Sequence, residues 1–256
     1  MLYNQRHIEI LKMLTRLRYV SVQDLTARME VSEVTIRKDL SHLEEKGLLF
    51  RTRGGAELAE DSRLLSSMNQ RRSQNKARKI CIAKKASELI REGDTVFIDS
   101  GSTCLELCGF VKDKSLRVVT NSIDVMNCLG EVSEITLIGV GGNYRKEAGS
   151  FIGPMALEII KQYNFETCFL GTTGFTKRCV FSSQNVLESQ LKQQVIQHSA
   201  RRVVLADSSK YGKSAFSVFA RAGDIDILYT DIKFEDAPLF AASGIETITC
   251  PDTVPD

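Results

Sequence analysis

The sequence has no apolar run long enough to cross a bilayer, which argues against a membrane-spanning helix. Residues 1–12 lack the charged, then apolar, then small-residue succession of a secretory signal. Both absences predict a soluble, cytoplasmic protein. There is no C-x-x-C pair and no H-E-x-x-H, so the commonest zinc and redox spacings are missing. Seven cysteines are an odd number and fit small buried hydrophobes in a reducing compartment better than a disulfide framework. Cys104 and Cys108 stand four apart on an expected helix, a spacing that could hold a metal, yet His7, His42 and His198 are scattered far from them. No metal or cofactor is expected. Excess charge is lacking too: 34 basic against 32 acidic side chains leave a net +2. Any contact with nucleic acid must therefore come from a local patch.

What is present is ample apolar material, 43% of 256 residues, enough for one large domain or two unequal ones. The pattern divides the chain into a small first domain over 1–58, a linker over 59–75 and a larger domain over 76–256. In the first part, Ile8, Leu11 and Leu14, with Ile10 and Leu17 on the flank, give a helical stripe over 4–17. Residues 18–20 read as a connection. Ser21 caps a second helix, with Asp24 as a weak capping box and Val22, Leu25 and Met29 as its buried side. Ser32 caps a third, Glu33 places negative charge at its positive end, and Ile36, Leu40 and Leu43 form its apolar face. The opposite face carries Thr35, Arg37 and Lys38. Such a helix is either an ordinary amphipathic surface element or one that lies in a DNA major groove, where Arg reads a guanine edge and Thr and Lys hold phosphates. Two short helices with a tight turn between them favour the second reading. Gly47 is a plausible end to this helix. Beyond it, two strand-like arms flank Gly54 and Gly55, with Arg51 and Arg53 placed as a wing would need them.

Residues 60–69 are polar and aperiodic, as a linker would be. Residues 71–85 are basic, with Arg71, Arg72, Lys76, Arg78, Lys79, Lys84 and Lys85. They form either the solvated face of a helix packed on the next domain through Ile80, Ile82, Ala83, Ala86, Leu89 and Ile90, or a contact with DNA backbone. From Gly93 short apolar strands alternate with helices: 95–99, 118–121, 135–139, 167–171, 203–207, 225–229 and 245–249. That alternation predicts an α/β domain, Rossmann-like, with a mostly parallel sheet covered by helices on both faces. Ligands of such sheets bind beyond the carboxyl ends of the strands. Asp99, Ser100, Gly101, Ser102 and Thr103 leave the first strand and open a helix in a way that suits a phosphate. Thr120 and Asn121, Gly141 and Gly142, and the 171–174 loop fall at three further strand ends. Glu188 and Lys192 stand four apart on a helix, and Asp207 and Lys210 follow another strand. The first pair could be a surface ion pair and Asp207 a cap; Lys210 could neutralise a phosphate.

The first part resembles the DNA-binding domain of the DeoR family of bacterial transcription regulators. Arg6, Ile10, Leu14, Ser32, Thr35, Ile36, Arg37, Lys38, Asp39 and Leu40 meet the family's helical pattern, and Arg51, Gly54, Gly55 and Ala56 its wing. Arg53 stands where many members have His, which should only add positive charge. The second part resembles the same family's effector domain, similar in fold to ribose-5-phosphate isomerase. Asp99, Gly101, Ser102, Thr103, Thr120, Asn121, Gly141, Gly142, Glu188, Lys192, Asp207, Ser209 and Lys210 match its motifs. The resemblance covers nearly the whole chain and is weakest over 57–70 and the C-terminal tail. It implies a repressor that binds double-stranded operator DNA and senses a phosphorylated sugar or related metabolite. A helix-turn-helix reads paired half-sites, so a homodimer or tetramer is expected. The alternative is a sugar-phosphate isomerase with an appended N-terminal module, in which Asp99, Glu188 and Lys192 would be recruited to acid–base work.

Overall fold

The computed structural model describes residues 3–17, 19–45, 49–58, 68–231 and 235–250. The expected helix end at Gly47 and most of the expected linker lie outside these residues. The chain divides into two compact units, Met1–Ser66 and Ser67–Asp256.

In the first unit the order is α1 (Tyr3–Leu17), β1 (Tyr19–Ser21), α2 (Val22–Met29), α3 (Glu33–Glu45), β2 (Leu49–Arg51) and β3 (Gly55–Leu58). Ile10 and Leu14 of α1, Leu25 and Met29 of α2, and Ile36, Leu40 and Leu43 of α3 close one apolar core with Val20, Leu49 and Ala56. Ser21 caps α2 by accepting from the Asp24 amide at 3.0 Å. The helix stops where Glu30 turns into the left-handed region, φ 53°, and after two more residues the chain re-enters a helix at Glu33. Thr35 donates its amide to the Ser32 hydroxyl at 3.3 Å, the cap expected of Ser32.

Two details differ from the sequence reading. The expected connection at 18–20 includes a strand, for β1 pairs with β3 and makes the wing a three-stranded sheet, β1-β3-β2. Gly55 closes the hairpin, its carbonyl accepting the Thr52 amide at 3.1 Å, but not through a left-handed turn. Neither it nor Gly54 has positive φ. A Cβ at Gly55 would lie 2.1 Å from the Val20 carbonyl oxygen, so the glycine is there because β1 presses against it.

The second unit opens with α4 (Met68–Ser73) and α5 (Lys76–Ser87), separated at Asn75, φ 53°. α4 thus falls inside the stretch expected to be linker. There follow β4 (Thr95–Ile98), α6 (Ser102–Leu107), β5 (Leu116–Thr120), α7 (Ile123–Leu129), β6 (Ile135–Gly139), β7 (Asn143–Arg145), β8 (Ser150–Ile152) and α8 (Pro154–Ile160). The chain continues through β9 (Phe165–Gly171), β10 (Gly174–Phe175), β11 (Phe181–Ser183), α9 (Val186–Gln197), β12 (Ser199–Leu205) and β13 (Ser217–Ala220). It closes with β14 (Ile227–Thr230), α10 (Ala237–Ala242) and β15 (Glu246–Thr249).

Seven strands form one sheet in the order β15-β14-β12-β9-β4-β5-β6, and every pairing in it is parallel. Side chains alternate across it. Phe97, Val119, Val204 and Leu228 enter one core with residues of α8, α9 and α10. Val96, Val118, Val203 and Ile227 enter another with residues of α5, α6 and α7. Helices therefore cover both faces. Strand order runs outward from β4 through β5 and β6, then restarts at β9 on β4's other side. The reversal between β4 and β9 is where a doubly wound sheet leaves a crevice at its carboxyl edge.

Candidate functional sites

The first candidate is the outer face of α3 with the wing. Ser32, Glu33, Arg37 and Lys38 are exposed, and Thr35 is half-buried. Arg37 reaches back to Glu33 at 3.4 Å, an exposed i,i+4 pair. Such pairs contribute little and exchange readily for a stronger acceptor, so Glu33 holds Arg37 along the helix until something better arrives. Ser32 and Thr35 join their hydroxyls at 2.9 Å. Arg51 is fixed to the helix, its guanidinium donating to Ser41 at 2.6 Å and its amide to Glu44 at 2.9 Å. Arg53 is exposed at the hairpin turn.

What aims α3 was not read from the sequence. Asp39 is 1% exposed and lies on the inner side. Arg6 grips both its oxygens, Nε to Oδ2 at 2.5 Å and Nη2 to Oδ1 at 3.0 Å, and His7 Nε2 meets Oδ1 at 3.1 Å. This buried fork ties α1 to the middle of α3. Three of the family-matching residues are thereby divided in role: Arg6 and Asp39 build the helix's mount, while Arg37 faces out.

The second candidate is a cleft of about 480 Å³, open to solvent, at the carboxyl ends of β4 and β9. Ser100, Gly101, Ser102 and Thr103 line one side; Gly171, Thr172 and Thr173 line the other, with Glu188, Lys192, Lys210 and Arg71 around them. The two loops meet through glycine. A Cβ on Gly101 would lie 3.2 Å from the Gly171 Cα, and one on Gly171 would lie 3.1 Å from the Gly101 Cα.

Beneath the cleft is a buried charge network. Lys192, 2% exposed, donates to Asp99 Oδ2 at 2.7 Å and to the Gly171 carbonyl at 2.5 Å, and faces Glu188 at 3.4 Å. Burial pulls its ammonium toward a lower pKa, but the attraction of Asp99 and Glu188 outweighs this and raises it. Asp99 Oδ2 also accepts the Gly171 amide at 2.9 Å, whereas its Oδ1 is buried with no hydrogen-bond partner among the described residues. Glu188 is held from its other side by Arg145 of β7 at 2.8 Å. Both its oxygens are therefore engaged by cations.

Lys210 has no ion pair among the described residues. Burial, aided by nearby Arg71 and Lys213 and opposed by Asp207, holds its ammonium below the ordinary lysine value. Burial likewise lowers Arg71. Two cations whose charge is held at a cost stand at the rim of one cleft, a condition that an anion relieves.

Residues 6–62 match the DeoR-like helix-turn-helix domain, and residues 74–232 match the DeoR C terminal sensor domain. The chain belongs to the DeoR family. Its relatives include the HTH-type transcriptional regulator FruR of Bacillus subtilis (strain 168), 39% identical over 90% of this chain and 92% of that one. The glycerol-3-phosphate regulon repressor of Escherichia coli (strain K12) is 32% identical over 89% of this chain and 90% of that one. Both bear the names of transcriptional regulators. Among solved structures, ribose 5 phosphate isomerase A from Neisseria gonorrhoeae matches over 52% of each chain, at 18% identity and a TM-score of 0.39.

Not all the residues expected in the DeoR effector site line the cleft. Ser100, Gly101, Ser102, Thr103, Glu188, Lys192 and Lys210 do, and Asp99 sits directly below. Thr120 does not: its hydroxyl donates to the Ile98 carbonyl at 2.6 Å and accepts the Ser122 amide at 3.0 Å, joining β4 to β5. Asn121 is fully buried beside Phe151. Gly141 and Gly142 lie away from the lining. Gly142, φ +127°, admits the Ile152 carbonyl at a point a Cβ would approach to 2.7 Å. That close packing sets the β7–β8 hairpin, which carries Arg145 to Glu188. Asp207 caps the 3-10 turn at Ser208–Lys210 by accepting the Ser209 amide and also receives Asn75 at 3.0 Å. It presents Lys210 and is not itself in the lining.

Conversely, Arg71 lines the cleft though the sequence marked it only as part of a basic stretch, while Thr172 and Thr173 bring in the 171–174 loop expected at a strand end. The basic stretch 71–85 turns inward in part: Arg72 pairs with Asp124, and Arg78 with Asp231. Ile82, Ala83 and Ala86 are buried, as a helix packed on the sheet requires. No group of three or more His, Cys, Asp or Glu is gathered as metal ligands would be among the described residues. No described helix is long and apolar enough to cross a membrane.

Proposed function

We propose that this DeoR-family regulator represses a carbohydrate operon by placing α3 in the operator's major groove and the wing on adjacent backbone, and that a phosphorylated sugar or polyol in the β4–β9 cleft changes that affinity. The observation that carries the effector half is the arrangement at the strand ends. Lys192 is already balanced by Asp99 and Glu188, while Lys210 and Arg71 add further positive charge at the rim. Ser102 and Thr103 open α6 beside them, offering hydroxyls and unpaired helix-end amides. Phosphate suits the cations and helix end; Glu188 and the threonines suit sugar hydroxyls. The name of the glycerol-3-phosphate regulon repressor, one of the relatives, is consistent with a ligand of this chemistry. On DNA the chain acts as a homodimer or tetramer, since two recognition helices are needed to read paired half-sites.

The test is thermal melting of the full chain against a panel of sugar phosphates, each with its unphosphorylated sugar as control. At a hundredfold excess over Kd a ligand adds about 2.7 kcal/mol to the native state, which for a unit of this size is a rise of roughly 5–10 °C. A shift that requires the phosphate supports the reading. Melting unmoved across the panel, or moved equally by the unphosphorylated sugars, removes it.

A further inference from the structure

Most of the cleft comes from loops at the ends of sheet strands, but Arg71 does not. It belongs to α4, the first element of the second unit, and the chain before α4 runs through residues 59–67 to β3 of the wing. We propose that Arg71 is the residue through which an anion in the cleft acts on the segment leading to the DNA-binding unit. A bound anion draws the Arg71 guanidinium toward Ser102, Thr103 and Lys210, and with it α4. The proposal rests on the anionic-effector reading above and adds to it the path by which occupancy leaves the site.

α4 is suited to respond. Its described arginines are tied by polar contacts. Arg71 donates to the Glu147 carbonyl at 3.2 Å, and Arg72 pairs with Asp124. Behind it, Lys79 is 3% exposed and its ammonium binds the carbonyl oxygens of Arg71 and Gln74, closing the α4–α5 turn without a carboxylate. α5 is anchored in the opposite manner, with Ile82, Ala83 and Ala86 fully buried. The turn at Asn75 therefore divides a helix with a buried apolar face from one whose arginines reach polar partners. Neutralising charge at Arg71 changes the balance for α4 while leaving α5 seated. A conformational response needs such a difference between ligand and no ligand.

The experiment needs no knowledge of the natural effector. Backbone hydrogen exchange of the full chain is followed in inorganic phosphate and in chloride at equal ionic strength, for the wild type, Arg71→Ala and Arg71→Lys. In the wild type, phosphate should slow exchange both at the α6 start, 102–104, and in α4, by roughly threefold or more. In Arg71→Ala the slowing at 102–104 should persist and that of α4 vanish; Arg71→Lys should restore part of it. Comparing each variant with itself in chloride separates the effect from any loss of stability. Slowing of α4 that survives Arg71→Ala overturns the proposal. So does slowing at 102–104 with none in α4 of the wild type, which leaves the anion site standing. No slowing at either place in the wild type overturns the anion site and the proposal together.

Discussion

Each unit is built around a buried aspartate paired with a cation, and the two pairs do different work. In the first unit Asp39 is saturated: Arg6 takes both oxygens and His7 adds a third contact. Nothing about it is left for a ligand, and its elements, α1 and α3, are held in one relative position. In the second unit Asp99 keeps one oxygen without a partner among the described residues, and its partner Lys192 continues through Glu188 to Arg145 at the floor of an open cleft. The chemistry is the same, carboxylate against cation in low dielectric. What separates a mount from a site is whether the valences close. A closed cluster fixes geometry; an open one at a crevice retains polar capacity for an occupant.

The sharpest way to break this comparison is to remove one partner from the closed pair. Asp39→Ala leaves the Arg6 charge buried, and loss of one member of such a pair costs about 3–5 kcal/mol. Hydrogen exchange should accelerate throughout α1 and α3 while the seven-stranded sheet is unchanged, and operator binding should fail with it. Replacing both partners with apolar residues, Arg6→Met with Asp39→Leu, should recover most of the stability. If Asp39→Ala instead melts like the wild type and still binds operator, the pair is not the mount of α3.

A smaller loss, and one confined to ligand binding, should follow at the open cluster's rim. Lys210→Ala should weaken binding of a phosphorylated ligand by about 1.5–3 kcal/mol, the range for a hydrogen bond to a charged group, with operator affinity in the absence of ligand unchanged. The pH dependence sharpens this. Burial holds the Lys210 pKa below its ordinary 10.5. An anion binds the protonated form, so binding takes up a proton, and affinity should fall as pH rises through that depressed value, below 10.5. Lys210→Arg stays charged throughout and should abolish the fall. Isothermal titration in buffers of different ionisation enthalpy measures the proton uptake directly. A wild type whose affinity is flat up to pH 10.5 would remove Lys210 from the anion site.

The parallel sheet was largely legible because buried parallel strands are short continuous apolar runs, and all seven segments expected as strands carry one of its strands. The short strands β1, β7, β8, β10, β11 and β13 were not. They are two to four residues long, partly polar and without a period, and their pairing depends on contacts remote in sequence. Site residues divide by the same physics. Loops that line the cleft with glycines and hydroxyls at strand ends, such as 100–103, carry a local signature. Arg6 and Asp39 are 33 residues apart, and matching a family pattern at both gave no sign that they touch. Arg71 sat in a run of positive charge whose inward and outward members cannot be separated without knowing that Asn75 breaks the helix. Thr120 and Gly142 show the converse: they match the family pattern at strand ends, yet they serve the backbone.

The finest division lies on the DNA-facing surface, between Arg37 on α3 and Arg53 on the wing. Arg37 stands on a helix fixed by the Asp39 mount, so under the proposed function its fork is offered to base edges in a set orientation; Arg53 is exposed at a hairpin turn and offers charge without that constraint. Arg37→Ala should cost about 1–3 kcal/mol on operator and less on random DNA, relaxing base preference. Arg53→Ala should weaken both alike and reduce the slope of log affinity against log salt by about one. Fluorescence anisotropy on operator and scrambled duplexes across a salt series distinguishes them. Should Arg37→Ala reduce both affinities equally and lower the salt slope, Arg37 touches phosphate, and the saturated mount positions α3 along the backbone of DNA rather than within its groove.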